Sequence, residues 1–200
     1  MKCRDLPAVL ATVLTATLLA APLTAAEADT GPTRLFDGKS LAGWHVTGCA
    51  VRVQDGAILL DSGNGLVRSD QQYGDFILDL DWKNLNPQMW DSGVFFRCEL
   101  PPDGRPWPKD YQVNLRKGME GNVQNLKGAS SQGLVKPGEW NHFKLTVIGD
   151  TAALEINGRP AWKATGVARP KGYIALQAEV PGGGQFLFRN VEISLPGSVK

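Results

Sequence analysis

The sequence predicts an all-β protein, with antiparallel strands closed into a sandwich or barrel, and three observations carry that prediction. Beyond the first 28 residues, apolar side chains recur with a period of two, and no segment sustains a period near 3.6 over a helix length. Each alternating segment has one apolar and one polar face, as expected of antiparallel strands packed on one side and solvated on the other. The segments are divided by turn-rich stretches in a chain holding 23 Gly and 13 Pro among 200 residues.

The elements follow in order. In "LFDGKSLAGW", Leu35, Phe36 and Trp44 are expected to anchor an N-terminal strand and turn to the core, with Asp37-Gly38 reversing the chain. "VRVQDGAILL" reads as a hairpin turning at Asp55-Gly56. "DFILDLDWK" sets Phe76, Leu78, Leu80 and Trp82 against Ile77, Asp79, Asp81 and Lys83. "SGVFFRCEL" sets Val94, Phe96, Cys98 and Leu100 against Phe95, Arg97 and Glu99. "YQVNL" opposes Tyr111, Val113 and Leu115 to Gln112 and Asn114. "FKLTVIGDTAALEING" turns at Gly149-Asp150, and "YIALQAE" opposes Ile174, Leu176 and Ala178 to Ala175, Gln177 and Glu179. "FLFRNVEISL" closes the series with a bulge expected near Asn190, where the alternation slips. "PPDGRPWP", Pro101 to Pro108, is too Pro-rich for a strand interior, and the stretch from Lys117 to Gly138 has no period; both read as loops.

Residues 1–28 read as a secretory signal peptide: Lys2 and Arg4, then the apolar run "AVLATVLTATLLAAPL", then small residues around a cleavage point after Ala26 or Ala28. The run is short for a membrane span and ends in Pro22. The expected mature protein is therefore one domain over 29–200, secreted or periplasmic, with no membrane span after cleavage. That leaves about 170 residues, enough for a single sizeable core. A net charge of +1 gives no reason to expect nucleic acid as a partner. Cys49 and Cys98 are expected either to pair or to sit buried as thiols, and neither to be catalytic; two cysteines are too few for a structural zinc site.

No nucleophile elbow, phosphate loop or zinc-protease motif occurs. His45 and His142 read as surface or edge residues. The polar strand faces carry the chemical signal instead. Arg97 with Glu99, Gln112 with Asn114, and Gln177 with Glu179 each lie opposite a core face, interleaved with Phe95. Amide and guanidinium donors suit sugar hydroxyls, and an aromatic ring suits a pyranose C–H face. Trp90 and Trp107 fall in loops beside these strands and are expected to line or cover a cleft, whereas Trp44, Trp82 and Trp140 are expected to be structural.

The segments "LFDGKSLAGW", "YGDFILDLDWK", "DSGVFFR", "YQVNL", "PGEWN", "EINGRPAW", "IALQAE" and "FRNVEI" together resemble, in order and spacing, the 3-keto-disaccharide hydrolase domain family. The resemblance implies a concanavalin A-like jelly-roll sandwich of two antiparallel sheets with a concave sugar cleft. It also implies cleavage of 3-keto-glycosides, in which the ketone acidifies the C2 proton and the C1 substituent is eliminated. On strand parity and this resemblance, Glu179 is the expected base and Arg97 the enolate stabiliser, with Glu99 or Asp91 as the acid. Gln112, Asn114 and Gln177 are the expected positioning groups, with Phe95, Trp90 and Trp107 as sugar contacts. The loop "RKGMEGNVQNLKGASSQG" departs from the family pattern, and Gln112 stands where an acidic residue is common. Scattered Asp and Glu residues permit a divalent metal such as calcium without pointing to one. Two rival readings stand beside the enzyme: a non-catalytic carbohydrate-binding module, and an accessory domain of an envelope complex.

Overall fold

The structure is a computed structural model that describes residues 31–109 and 111–196; the signal-peptide expectation for residues 1–28 lies outside them. Its strands are β1 (Thr33–Arg34), β2 (Trp44–Gln54), β3 (Ala57–Tyr73), β4 (Phe76–Asn84), β5 (Gly93–Cys98), β6 (Gln112–Asn114), β7 (Asn141–Ile148), β8 (Thr151–Ile156), β9 (Arg159–Thr165), β10 (Gly172–Glu179) and β11 (Phe186–Ser194). One helical turn, α1 (Val180–Gly183), joins the last two. Among the described residues no helix is long and apolar enough to cross a membrane.

Every pairing is antiparallel, and the strands form a jelly-roll of two facing layers. Hydrogen bonding runs without a break in the order β6-β5-β10-β3-β11-β4-β7-β8-β9. The layers are continuous because β3 is 17 residues long and serves both. Its start pairs with β11 at Ile58 to Leu60, and its remainder pairs with β10 from Asn64 to Tyr73. Such a curled sheet encloses one core, where Trp82 meets Phe143 edge-on at 5.5 Å and Phe186 at 6.0 Å.

The N-terminal turn works as its sequence suggests. Phe36 and Trp44 are buried, and the Trp44 indole N–H donates to the Leu35 carbonyl at 2.6 Å. The Asp37 carboxylate accepts from the backbone N–H groups of Lys39 at 2.8 Å and Ser40 at 2.7 Å, which holds its pKa below the usual carboxylate range. The aperiodic stretch after β6 buries Val123, Leu126 and Ala129 and so plugs an open end of the core. Trp162 donates to the Gly121 carbonyl at 2.6 Å and fastens this plug.

One strand departs from its sequence parity. Arg97 has φ +45°, and Phe96 and Arg97 together face only Ile174 between the Phe95–Ala175 and Cys98–Tyr173 pairs. This bulge shifts the alternation by one residue. Cys98 therefore leaves the main core and joins a second cluster on the outer face, with Phe95, Leu66 and Ala175. Leu100, expected on the core face, is exposed. Cys49 packs against the main core from β2, so the two cysteines lie on opposite faces and both are thiols. Burial pushes the Cys49 thiol pKa up. Because Cys98 is 1% exposed, a thiol reagent is expected to label it only after unfolding; rapid native labelling at Cys98 would contradict this packing.

Candidate functional site

The outer face of the β6-β5-β10-β3-β2 layer brings the amides of Gln112 and Gln177 together with the half-buried carboxylates of Glu179 and Asp91. Register decides which residues meet there. Gln177 pairs with Gly93 on β5 and with Leu66 on β3; Glu179 pairs with Asn64; Asn114 pairs with Gly93 from the other side. Gly93 has no side chain, and this lets Gln112 lean across it from β6. A Cβ at Gly93 would lie 2.0 Å from Gln112 Nε2. Gln112 Nε2 thereby donates to Gln177 Oε1, and Gln177 Nε2 donates to Glu179 Oε2 at 2.9 Å. The two amides form a directed chain that ends on the carboxylate.

Burial pushes the Glu179 pKa up, the nearby Asp91 charge pushes it further, and Arg116 pulls it down. Asp91 is also raised, by burial, and lowered by Arg116, whose Nε lies 3.6 Å from Asp91 Oδ2. Asp91 is seated by a close backbone approach. Its N–H donates to the Gly183 carbonyl at 3.0 Å, and a Cβ at Gly183 would lie 2.2 Å from the Asp91 carbonyl oxygen. Asn114 Oδ1 accepts from the Arg116 backbone N–H at 2.6 Å and sets the start of that loop. Two carboxyls whose pKa values are raised, beside one guanidinium and an amide chain, form a group able to exchange protons with a bound molecule.

The other expected site residues divide. Trp107 reaches the site: it packs on the Phe95 cluster, and its indole N–H donates to the carbonyls of Gly65 at 3.1 Å and Ala178 at 3.2 Å. Phe95 lies on the expected face but is 3% exposed, so it supports Trp107 and offers no open platform. Trp90 is not in the cleft. The 85–92 connection is fastened by Leu85 N–H to the Gln185 carbonyl and by Lys117 N–H to the Trp90 carbonyl, each at 3.0 Å, and the indole turns into the core. The Lys117 ammonium lies 5.3 Å from its ring centroid.

Arg97 is not there either. Its left-handed backbone turns the guanidinium into the end of the fold, away from Glu179. There Nε donates to Gly74 O at 2.8 Å, Nη1 to Gly149 O at 2.7 Å and Arg169 O at 2.9 Å, and Nη2 to Asp75 Oδ1 at 2.8 Å. Glu99 follows it to that end, is exposed, and pairs with Arg169. Arg116, which sequence parity did not single out, is the cation that stands at the carboxylates; it lies just past β6, where no alternation marks it.

The histidines are distant from this cluster. His45 is exposed on β2. His142 bridges Asp81 at 2.9 Å and Asp79 at 3.2 Å on the outer face of the other layer. Beside it Arg189 stacks on Trp140, with the guanidinium carbon 3.9 Å from the ring centroid, so Trp140 braces this face. Among the described residues no group of three or more His, Cys, Asp or Glu side chains is arranged to hold a metal ion.

A family model, that of the 3-keto-alpha-glucoside-1,2-lyase-like domain, matches residues 31–194. Several solved structures share the fold. A candidate glycosyl hydrolase from Parabacteroides distasonis is 20% identical, with a TM-score of 0.62 over 82% of this chain and 93% of that one. A carbohydrate-binding module from Bacillus subtilis is 16% identical, with a TM-score of 0.61 over 76% and 95%. The carbohydrate recognition domain of Emp47p is 13% identical, with a TM-score of 0.57 over 88% and 99%. No curated protein sequence matches the chain.

Proposed function

The chain belongs to the 3-keto-alpha-glucoside-1,2-lyase-like domain family, and from that premise we propose that it cleaves 3-keto-glycosides by elimination, outside the cytoplasm, with Glu179 as the base. The observation that carries the reading is the Gln112–Gln177–Glu179 chain: a carboxylate of raised pKa held in place by a positioned amide, beside a second carboxyl.

The ketone at C3 makes the C2 proton acidic because the carbanion is delocalised as an enolate. Glu179 takes that proton. Arg116 and the Gln112 amide supply cationic and N–H contacts for the C3 oxygen as charge develops on it. The enolate then expels the C1 oxygen substituent, and the proton held on Glu179 passes to the leaving oxygen. The products are a C1–C2 enone and a free alcohol, with no net proton change. Water adding to C1 of the enone gives the free 3-keto sugar and completes a net hydrolysis. A carboxyl between C2 and the C1 oxygen must be base and acid in turn, and a raised pKa brings it closer to the working pH for both steps.

The reading is tested with a 3-keto-glucoside deuterated at C2. Cleavage should proceed with a primary isotope effect and with loss of the label to solvent. Release of the alcohol with C2 deuterium fully retained would rule out proton abstraction.

Gly93→Ala gives a second test. The added methyl must displace the Gln112 amide, a flexible side-chain end, so the fold should survive. Turnover should fall by about 10-fold as Gln177 loses its orienting partner, the scale of one hydrogen bond. Unchanged turnover in Gly93→Ala would show that the amide chain does not position the base.

A further inference from the structure

The outer face of the second layer holds a charged cluster that the reaction above does not use. His142 stands on β7 directly opposite Asp81 on β4. Its Nδ1 lies 2.9 Å from Asp81 Oδ1, and its Nε2 lies 3.2 Å from Asp79 Oδ1. A fixed backbone presents the ring: the His142 N–H donates to Asn157 Oδ1 and the Asn157 N–H donates to the His142 carbonyl, each at 2.9 Å. Both ring nitrogens thus face carboxylate oxygens. An ionised carboxylate only accepts hydrogen bonds, and a neutral imidazole has a single N–H. The neutral ring would turn a lone pair toward one of the two carboxylates, whereas the imidazolium donates to both.

The surrounding charges favour ionised carboxylates. Asp81 Oδ2 also accepts from Asn190 Nδ2 at 2.7 Å and from Arg189 Nε at 3.3 Å. Asp79 is the cross-strand partner of Lys144 on β7 and of Glu192 on β11, and Arg34 engages Glu192 at 3.1 Å. Lys83 on β4 and Glu155 on β8, the latter opposite Lys144, are the other charged groups on this face of the strands flanking β7. Lys136, Glu139 and Arg159, in or beside the connections at this end, are exposed. Asn190 has φ +51° at the β11 bulge, and the next carbonyl, that of Val191, accepts from the N–H groups of Leu35 at 2.8 Å and Phe36 at 3.3 Å. Asp81 thereby ties the ring on β7 to the bulge that seats the N-terminal turn.

We infer that His142, Asp79 and Asp81 form a pH-sensitive latch on this layer: it is closed while both ring nitrogens carry protons, and alkaline medium opens it by removing one. The bond to Asp79, and after it the bond to Asp81, hold the His142 pKa above the ordinary value of 6.5 against the opposing effect of burial. The unfolded chain makes neither bond. The stabilisation is therefore complete below about pH 6.5 and is lost as pH rises through the higher folded value. Burial also raises Cys49 and Tyr73, but their alkaline losses begin only near their ordinary values of 9.0 and 10.0.

The chain holds two histidines, so an NMR titration can follow both Hε1 resonances, assigned with His45→Gln. The His142 midpoint should lie above 6.5, and Asp79→Asn should lower it. Urea denaturation gives the second readout. From about pH 6 to about pH 8, the folding equilibrium constant of the wild type should fall at least about 3-fold relative to that of His142→Gln, the scale of a partly exposed ion pair. A wild-type midpoint at or below 6.5, or one that Asp79→Asn leaves unmoved, would overturn the latch. Equal pH dependence of stability in the two proteins would overturn it as well. The midpoint is read on the wild type and decides the matter even if His142→Gln fails to fold.

Discussion

Glu179→Gln should lower turnover of a 3-keto-glycoside by at least about 100-fold, the low end for loss of a general base, while the protein stays folded and still binds substrate. Glutamine keeps the shape, so the Gln112 and Gln177 amides retain a partner. What is lost is the capacity to take a proton. The pH dependence follows from the causes of the Glu179 shift. Burial and the Asp91 charge both raise its pKa, and Arg116 lowers it. The base must be ionised, so kcat/KM should rise with pH through a midpoint above the ordinary glutamate value of about 4.3. Asp91→Asn removes a neighbouring negative charge and should move that midpoint to lower pH; Arg116→Ala should move it to higher pH. Near-wild-type turnover in Glu179→Gln would eliminate it as the base.

Arg97→Ala should be strongly destabilising, by about 3 kcal/mol. The side chain is 1% exposed, and its guanidinium ties together the β3–β4 turn, the β7–β8 turn and the approach to β10 through three carbonyls and Asp75. Truncation removes the donor from all three carbonyls at once, and only those that solvent reaches, such as that of Gly149, can be satisfied again by water. Asp75 is half-exposed and can be resolvated, which keeps the loss toward the lower end of the range for broken buried pairs. Arg97→Lys should recover only part of the stability, because an ammonium cannot reproduce the planar fork. Chemical denaturation followed by tryptophan fluorescence measures this. The folded fraction of Arg97→Ala should turn over within about 3-fold of wild type, since remote packing changes leave the reacting groups in place. Unchanged stability with lost turnover would restore Arg97 to the reaction.

The contrast between these two residues shows what the sequence could reveal. Alternation located β4, β6 and β10 and put Gln112, Gln177 and Glu179 on one face, because regular strands preserve parity. The same rule failed at Arg97, where one left-handed residue redirected a guanidinium and carried Cys98 and Glu99 with it. Nothing in "VFFRCE" marks that bulge, since it is set by the one-to-two pairing with Ile174 on a strand far along the chain. Loop residues were legible only by composition. Trp90 and Trp107 sit in similar settings, yet backbone bonds of the 85–92 connection to distant segments accompany one turned inward, while the other's indole N–H donates to distant carbonyls and lies across the sheet. Arg116 was illegible for a related reason: it follows a three-residue strand, and only the fold brings it to Asp91.

The central claim is that this face breaks glycosidic bonds only after C3 is a ketone. The most direct measurement incubates the protein with an α-glucoside and with its 3-keto counterpart and follows release of the alcohol. The account predicts release from the keto substrate alone, accompanied by a transient enone absorbance. Binding of both sugars with release from neither would contradict it and identify a carbohydrate-binding module, and equal cleavage of both would contradict the elimination chemistry.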